Sequence, residues 1–135
     1  MTRDGTRAAR LVIRRPELAE PVLERVVAAL AARVDLPLDR LSDAQIASAA
    51  VAAAAGRHVA DGALGVDFDG EPGTMVLRIG PLPPGGAAEV VRDSAVPGVG
   101  SIVERLVDGF AVEENGKEET LCLTIGVAEE VAHPS

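Results

Sequence analysis

The sequence predicts an α+β domain of two layers, in which three helices cover one face of a mixed, mostly antiparallel, five-stranded sheet. Three observations support this fold class. The 135 residues match the length of one domain. Hydrophobic residues make up 47% of the chain, enough for a core without staples. Apolar spacing follows the order strand, helix, helix, strand, strand, helix, strand, strand, which is typical of an α+β arrangement.

The first half is predicted to contain one strand and two helices. Apolar and arginine residues alternate over 9–14, which predicts a strand. Apolar residues then recur every four positions over 17–34 and predict an amphipathic helix, with Pro21 in its first turn. Ser42 opens a capping-box pattern, so a second, alanine-rich helix is predicted over 42–58.

The second half is predicted to consist of two hairpins separated by a loop, a helical turn and a helix. These segments are a hairpin of strands 64–69 and 74–79, a loop over 80–86, a helical turn over 87–93, a helix over 101–108 and a hairpin of strands 110–114 and 119–127. Gly109 is expected to end the helix, and Asn115-Gly116 supplies a hairpin turn. Residues 1–8 and 128–135 are predicted to be flexible, which leaves one domain over 9–127.

The composition argues against several function classes. One cysteine and two widely separated histidines give no disulfide framework and no zinc motif. The absence of Trp and Tyr and the net charge of −8 argue against a nucleic-acid partner. The apolar run over 46–55 is too short to cross a bilayer, and no signal segment is visible. A cytoplasmic protein without a membrane partner is therefore predicted.

Candidate chemical groups are few. Cys122 lies within a predicted strand and is interpreted as packing rather than as a nucleophile. The acidic pairs are interpreted as solvated charge, because adjacent residues on a strand point to opposite faces. These pairs are Glu113/Glu114, Glu118/Glu119 and Glu129/Glu130. Two glycine-rich segments, 80–86 and 97–100, are either turns or backbone cradles for an anion, the second at a helix N-terminus.

Several motifs occur in the order found in one known family. They are a proline-containing connection over 35–41, a second helix ending at His58, a glycine segment Gly98-Val99-Gly100 followed by Leu106 and Asp108, and Thr120 near the start of the last strand. Together these motifs resemble the bacterial anti-sigma-factor serine kinases, which belong to the histidine-kinase-like ATPase superfamily. The resemblance spans roughly residues 9–127 and implies the Bergerat fold.

The resemblance also implies an ATP pocket, but its polar residues are missing. The family pattern Glu-x-x-x-Asn-x-x-x-His aligns with Ala50, Ala54 and His58, so the proton acceptor and the magnesium ligand are both lost. The loop over 80–86 also lacks the aspartate that reads adenine. No catalytic or metal-ligating residue is therefore predicted. The remaining positions of a vestigial nucleotide pocket are Ala54, His58, Gly80, Gly85, Gly86, Gly98, Gly100 and Thr120.

For several of these residues, a purely structural role stays open beside a role in the pocket. His58 is expected either to end its helix, where its ring interacts with the helix dipole, or to bind a ligand. Gly98 and Gly100 are either a turn or a phosphate contact. Thr120 is either an ordinary strand residue or part of the pocket.

The resemblance implies a regulatory protein that binds a sigma factor or an anti-sigma antagonist and works as a homodimer. No cofactor is expected, although ATP or ADP would bind if the pocket still functions. The dimer or partner surface is expected on the first strand and first helix, with a rim of Arg10, Arg14, Glu17, Glu20, Glu24 and Arg25.

Two alternatives stay open. The chain could be an active ATP-dependent serine/threonine kinase, whose base would have to replace the missing Glu. The acids near the second helix are Asp43 and Asp61, and neither lies at the family's position. The chain could instead be an α+β domain with neither a nucleotide nor a sigma partner.

Overall fold

One layer of the structure is a five-stranded antiparallel sheet, and the other layer is formed by helices packed on one of its faces. A computed structural model describes residues 7–59, 62–96 and 100–126. The main elements are β1 (Arg7–Ile13), α1 (Ala19–Arg33), α2 (Leu38–Gly56), β2 (Leu64–Glu71), β3 (Thr74–Leu82), α3 (Gly86–Asp93), β4 (Ala95–Val96), β5 (Gly100–Ser101), α4 (Ile102–Leu106), β6 (Gly109–Asn115) and β7 (Glu118–Gly126). A short 3-10 turn over Pro16–Leu18 precedes α1.

The strand order in the sheet is β1-β2-β3-β7-β6, and each neighbouring pair is antiparallel. The predicted α+β class and the five strands are confirmed, and the sheet is antiparallel throughout rather than mixed. Its register places apolar residues in cross-strand rows, such as Leu77 between Phe68 and Leu123. These three side chains are buried and face the helices. The opposite face carries the polar half of the alternation.

The helical layer is centred on α2, which packs against α1, α3 and α4. Its alanines permit this because short side chains fill little space between neighbouring helices. Ala44, Ala52 and Ala55 are fully buried in the same core as Leu23 and Val27 of α1.

Within the described residues, the helical layer contains four α-helices rather than the three predicted. The expected helical turn over 87–93 is a full helix, α3. The expected helix over 101–108 is shorter, because Ser101 caps it through a bond from the Glu104 amide and Val107 is already extended. Gly109 is therefore the first residue of β6 and does not end a helix.

Two further boundaries differ from the sequence prediction because local backbone geometry sets them. Helix α2 begins at Leu38, directly after Pro37, whose extended backbone (φ −57, ψ 148) precedes the first turn. Ser42 consequently lies inside the helix and does not cap it. Strand β3 continues to Leu82, so the first residues of the expected loop over 80–86 are strand.

The start of α2 is held by Arg40, whose guanidinium contacts three other parts of the chain. It pairs with Asp43 within α2 and, at 2.8 Å, with Asp108 just before β6. It also donates to the carbonyl oxygens of Leu106 and Gly126, each at 3.2 Å. Arg40 thereby joins the start of α2 to the end of α4 and the end of β7.

The short strands β4 and β5 pair with each other, and β5 begins at Gly100, the last residue of the glycine segment over 97–100. The predicted flexible segments lie outside the described residues, except that residues 7 and 8 belong to β1. Within the described residues, none of the helices combines the length and the apolar character that crossing a membrane requires.

Candidate functional site

Ala50 and Ala54 lie one turn apart on α2, at the two positions where the resemblance places a base and a magnesium ligand. Ala54 is only 1% exposed and belongs to the core, whereas Ala50 is half-buried. A methyl group neither accepts a proton nor ligates a cation. This part of α2 therefore offers packing and no chemistry.

His58 follows the end of α2 and contacts the end of α3. Its Nε2 lies 2.8 Å from Oδ2 of Asp93. The hydrogen bond from His58 lowers the pKa of Asp93 below its usual range. One ring nitrogen of His58 is thus engaged inside the chain, in keeping with the helix-end interpretation.

Gly85 and Gly86 open α3, where the sequence suggests an anion cradle. Gly85 adopts a left-handed backbone (φ +80), and a Cβ at Gly86 would approach Pro83 to 2.9 Å. The amides here already have an acceptor. The carboxylate of Glu119 accepts hydrogen bonds from the Gly85 amide at 3.1 Å and the Ala87 amide at 3.0 Å. The chain's own carboxylate therefore fills the N-terminus of α3.

Glu119 is a residue that sequence reasoning missed. Its interpretation as solvated charge is wrong, since it caps a helix 32 residues away in the chain. The pairing of Leu82 with Glu119 across β3 and β7 brings the two segments together. Only the register of the sheet shows this contact, because no local motif links a strand glutamate to a distant helix start.

Gly80 and Thr120 lie together, but on the other face of the sheet. Their neighbours Ile79 and Leu121 point into the core, so the side chain of Thr120 points outward. A Cβ added to Gly80 would lie 3.2 Å from Thr120 Oγ1. Both residues line an open groove of about 420 Å³ that also contains Arg10, Asp67, Arg78 and Glu113.

The charged side chains of this outer groove neutralise one another. Arg10 pairs with Asp67 at 3.5 Å, and Arg78 pairs with Glu113 at 3.7 Å and with Asp69. The groove is lined by two arginines and three carboxylates, so acidic groups are in slight excess.

The described part of the chain thus divides the predicted pocket between two faces. Ala54, His58, Gly85 and Gly86 lie with the helices, whereas Gly80 and Thr120 lie on the outer face. Gly100 stands apart in β5 with an exposed, left-handed backbone (φ +96). Gly98 lies outside the described residues.

Cys122 is buried on the outer face of β7, beside Arg78 on β3. Burial raises the pKa of its thiol to about 11. The thiol therefore stays protonated near neutral pH, which agrees with a packing role. Among the residues whose structure is described, no cluster of three or more His, Cys, Asp or Glu could hold a metal ion.

The predicted partner surface on β1 and α1 contains an apolar groove of about 340 Å³. Val12 is 51% exposed and Leu18 is 45% exposed, and both line the groove. Arg14 and Arg15 lie at its margin. Exposed apolar side chains rimmed by charge are typical of protein-binding surfaces.

The chain matches no protein-family model and no curated protein sequence. The fit of a magnesium nucleotide can be judged from the residues at the predicted pocket. Ala50 and Ala54 supply no oxygen ligand, and a phosphate at the start of α3 would meet the carboxylate of Glu119. The residues present do not fit that cofactor.

Proposed function

We propose that this chain is an anti-sigma-factor-like regulatory protein that binds a partner protein and has a degenerate ATP site. The order of elements supports the proposal, since a strand, two helices and a hairpin precede α3, and a closing hairpin ends the sheet. This is the order that the resemblance to a Bergerat fold implies. The partner would be a sigma factor or an anti-sigma antagonist in the cytoplasm, and the chain would act as a homodimer.

The observation that best supports a degenerate ATP site is that the Glu119 carboxylate accepts two hydrogen bonds from backbone amides at the start of α3. A carboxylate at this point occupies backbone donors of the glycine segment over 80–86 that would otherwise be free to hold an anion, and it repels the negative charge of a nucleotide. The alanines at positions 50 and 54 also support a degenerate site. Phosphoryl transfer depends on a positioned base and on charge neutralisation by a bound metal ion, and a methyl group supplies neither the base nor a metal ligand.

The binding role is supported by the surface of β1 and α1. Its groove offers apolar contact through Val12 and Leu18, and its rim offers charge through Arg10, Arg14 and Glu17, which are all exposed. Interfaces commonly combine a small apolar centre with such a polar rim.

Thermal unfolding with ATP or ADP, each with and without magnesium, tests the degenerate site. We expect no shift at millimolar nucleotide. A ligand at a hundred times its Kd would stabilise the fold by about 2.7 kcal/mol, or several degrees. A magnesium-dependent shift would favour the kinase alternative, and transfer of labelled phosphate to an antagonist would establish it.

Size-exclusion chromatography with candidate sigma factors and antagonists tests the binding role. We expect one of them to co-elute with the wild type and with Arg33→Glu, which changes an exposed arginine at the end of α1. Arg14→Glu should weaken the complex. If no candidate co-elutes, the chain is instead an α+β domain outside this regulatory class.

A further inference from the structure

The groove on β1 and α1 follows a free edge of the sheet. Strand β1 is the first strand in the order β1-β2-β3-β7-β6, so β2 alone pairs with it among the described residues. The outer side of an edge strand presents backbone N–H and C=O groups that can pair with another strand. An extended peptide is the ligand that satisfies such a row.

The charge along this edge is positive. Residues 9–15 include Arg10, Arg14 and Arg15 and no acidic residue. All three side chains are exposed. Arg10 pairs with Asp67 and Arg15 pairs with Glu17, whereas Arg14 forms no ion pair within the described part of the chain. The other edge of the sheet, β6, carries Glu113 and Glu114. The two edges of one sheet are therefore charged oppositely.

The same edge also offers apolar contact. Val12 lies between Arg10 and Arg14 on the outer face of β1. Leu11 and Val22, which pack against the core on the helix side, line the groove together with Leu18 of the turn that precedes α1. An extended peptide places alternate side chains on opposite sides of its backbone. A strand added to β1 could therefore place an apolar side chain in the groove while acidic neighbours reach the arginines.

We propose that the edge of β1 receives an extended segment of the partner protein, in which acidic and apolar residues alternate, as a sixth strand of the sheet. This inference rests on the proposed function, which places a partner on β1 and α1. The arginines also disfavour pairing of β1 with the β1 of a second copy, because like charges on facing edges repel. A phosphate polymer would match the charge but not the backbone donors and acceptors.

Selection from a random library of displayed peptides of about twelve residues tests the inference without assuming a partner sequence. The bait is the full chain. We expect enriched peptides to alternate acidic and apolar residues. Their affinity should fall by about tenfold or more for Arg10→Glu/Arg14→Glu and about severalfold for Arg14→Glu alone. The matched control, Arg33→Glu/Arg57→Glu, changes two exposed arginines elsewhere and should bind like the wild type.

The single variant Arg14→Glu separates a loss of peptide binding from a loss of folding. Arg10 pairs with Asp67, so its replacement could disturb β1, whereas Arg14 makes no such pair in the described structure. Circular dichroism and the melting temperature should show that Arg14→Glu folds like the wild type.

Two isomers of an enriched peptide, N-methylated at odd or at even positions, test strand pairing. We expect one isomer to lose binding and the other to keep it, because alternate amides of an added strand face β1. The inference is overturned if both isomers bind, if no peptide is enriched, or if the enriched peptides lack an acidic bias. It is also overturned if duplex DNA competes with the peptides equally well. A further contradicting outcome is that β6 of a second copy occupies the β1 edge, which would show as self-association that Glu113→Lys/Glu114→Lys removes.

The outcomes separate this inference from the proposed function. Enrichment of acidic peptides without co-elution of any sigma factor or antagonist would contradict only the regulatory role. Co-elution that is unchanged by Arg14→Glu and by Arg10→Glu/Arg14→Glu would contradict the role of the β1 edge and the placement of the partner on β1 and α1, but not the regulatory role.

Discussion

The two ends of α2 are each tied to the rest of the domain by one side chain, Arg40 at the start and His58 at the end, but in different ways. At the start, the side chain of Arg40 is 20% exposed, pairs with two carboxylates and donates to two carbonyl oxygens. At the end, His58 makes one bond to Asp93, and the two side chains are 26% and 33% exposed. The contrast shows that His58, a residue of the predicted pocket, makes a single contact, whereas Arg40, for which the sequence predicts no role, joins several parts of the fold.

The largest effect is expected from Arg40→Ala. Removing the guanidinium leaves Asp43 and Asp108 without their shared cation and two carbonyl groups without a donor. We expect the free energy of unfolding to fall by about 2–4 kcal/mol. Arg40→Lys should recover less than half of this loss, because one ammonium cannot reproduce the planar fork of donors.

Urea unfolding measures this loss, and Arg33→Ala is the control because Arg33 is exposed on α1. The control should stay within about 0.5 kcal/mol of the wild type. If Arg40→Ala costs less than about 1 kcal/mol, the two ends of α2 are equivalent and the comparison fails.

The elements of this fold could be predicted where one local pattern decides them. Alternation identified the five strands, and apolar recurrence identified α1, with Pro21 in its first turn as expected. Capping patterns were less reliable, because α2 begins at Leu38, directly after Pro37 and four residues before the sequence signal at Ser42. The roles of Arg40 and Glu119 could not be predicted, since their partners are distant in sequence and are set by packing and strand register.

A second, smaller effect is expected from Glu119→Ala, which acts on α3 instead of α2. The substitution leaves the Gly85 and Ala87 amides without their acceptor at the start of the helix. We expect a loss of about 1–2 kcal/mol in the free energy of unfolding, similar to the loss of a helix cap. Glu119→Gln should lose less, because an amide oxygen can still accept a hydrogen bond.

The matched control for this pair is Glu118→Ala, the exposed neighbour at the first position of β7. Urea unfolding should show little change for the control. Equal losses for Glu118→Ala and Glu119→Ala would mean that general charge, and not the cap, sets the stability. A newly acquired nucleotide-dependent shift in Glu119→Gln would show in addition that this carboxylate keeps phosphate away from α3.

The smallest effect is expected at the His58 end of α2, and its signature is a dependence on pH. The bond from His58 lowers the pKa of Asp93 in the folded state. This contact therefore stabilises the fold above the unfolded-state pKa of about 3.9, and the stabilisation is lost as the pH falls through the lower, folded-state value. The advantage of the wild type over Asp93→Asn should be present at about pH 5.5 and shrink towards about pH 3.

Urea unfolding at both pH values measures this change, with Asp39→Asn as the exposed control on the first turn of α2. The control should keep a constant offset from the wild type, because no contact to His58 is lost. If Asp93→Asn also keeps a constant offset, the bond to His58 does not form in solution. His58 would then be a free imidazole at the end of α2, and ligand binding at that position would regain the support that the contact with Asp93 now removes.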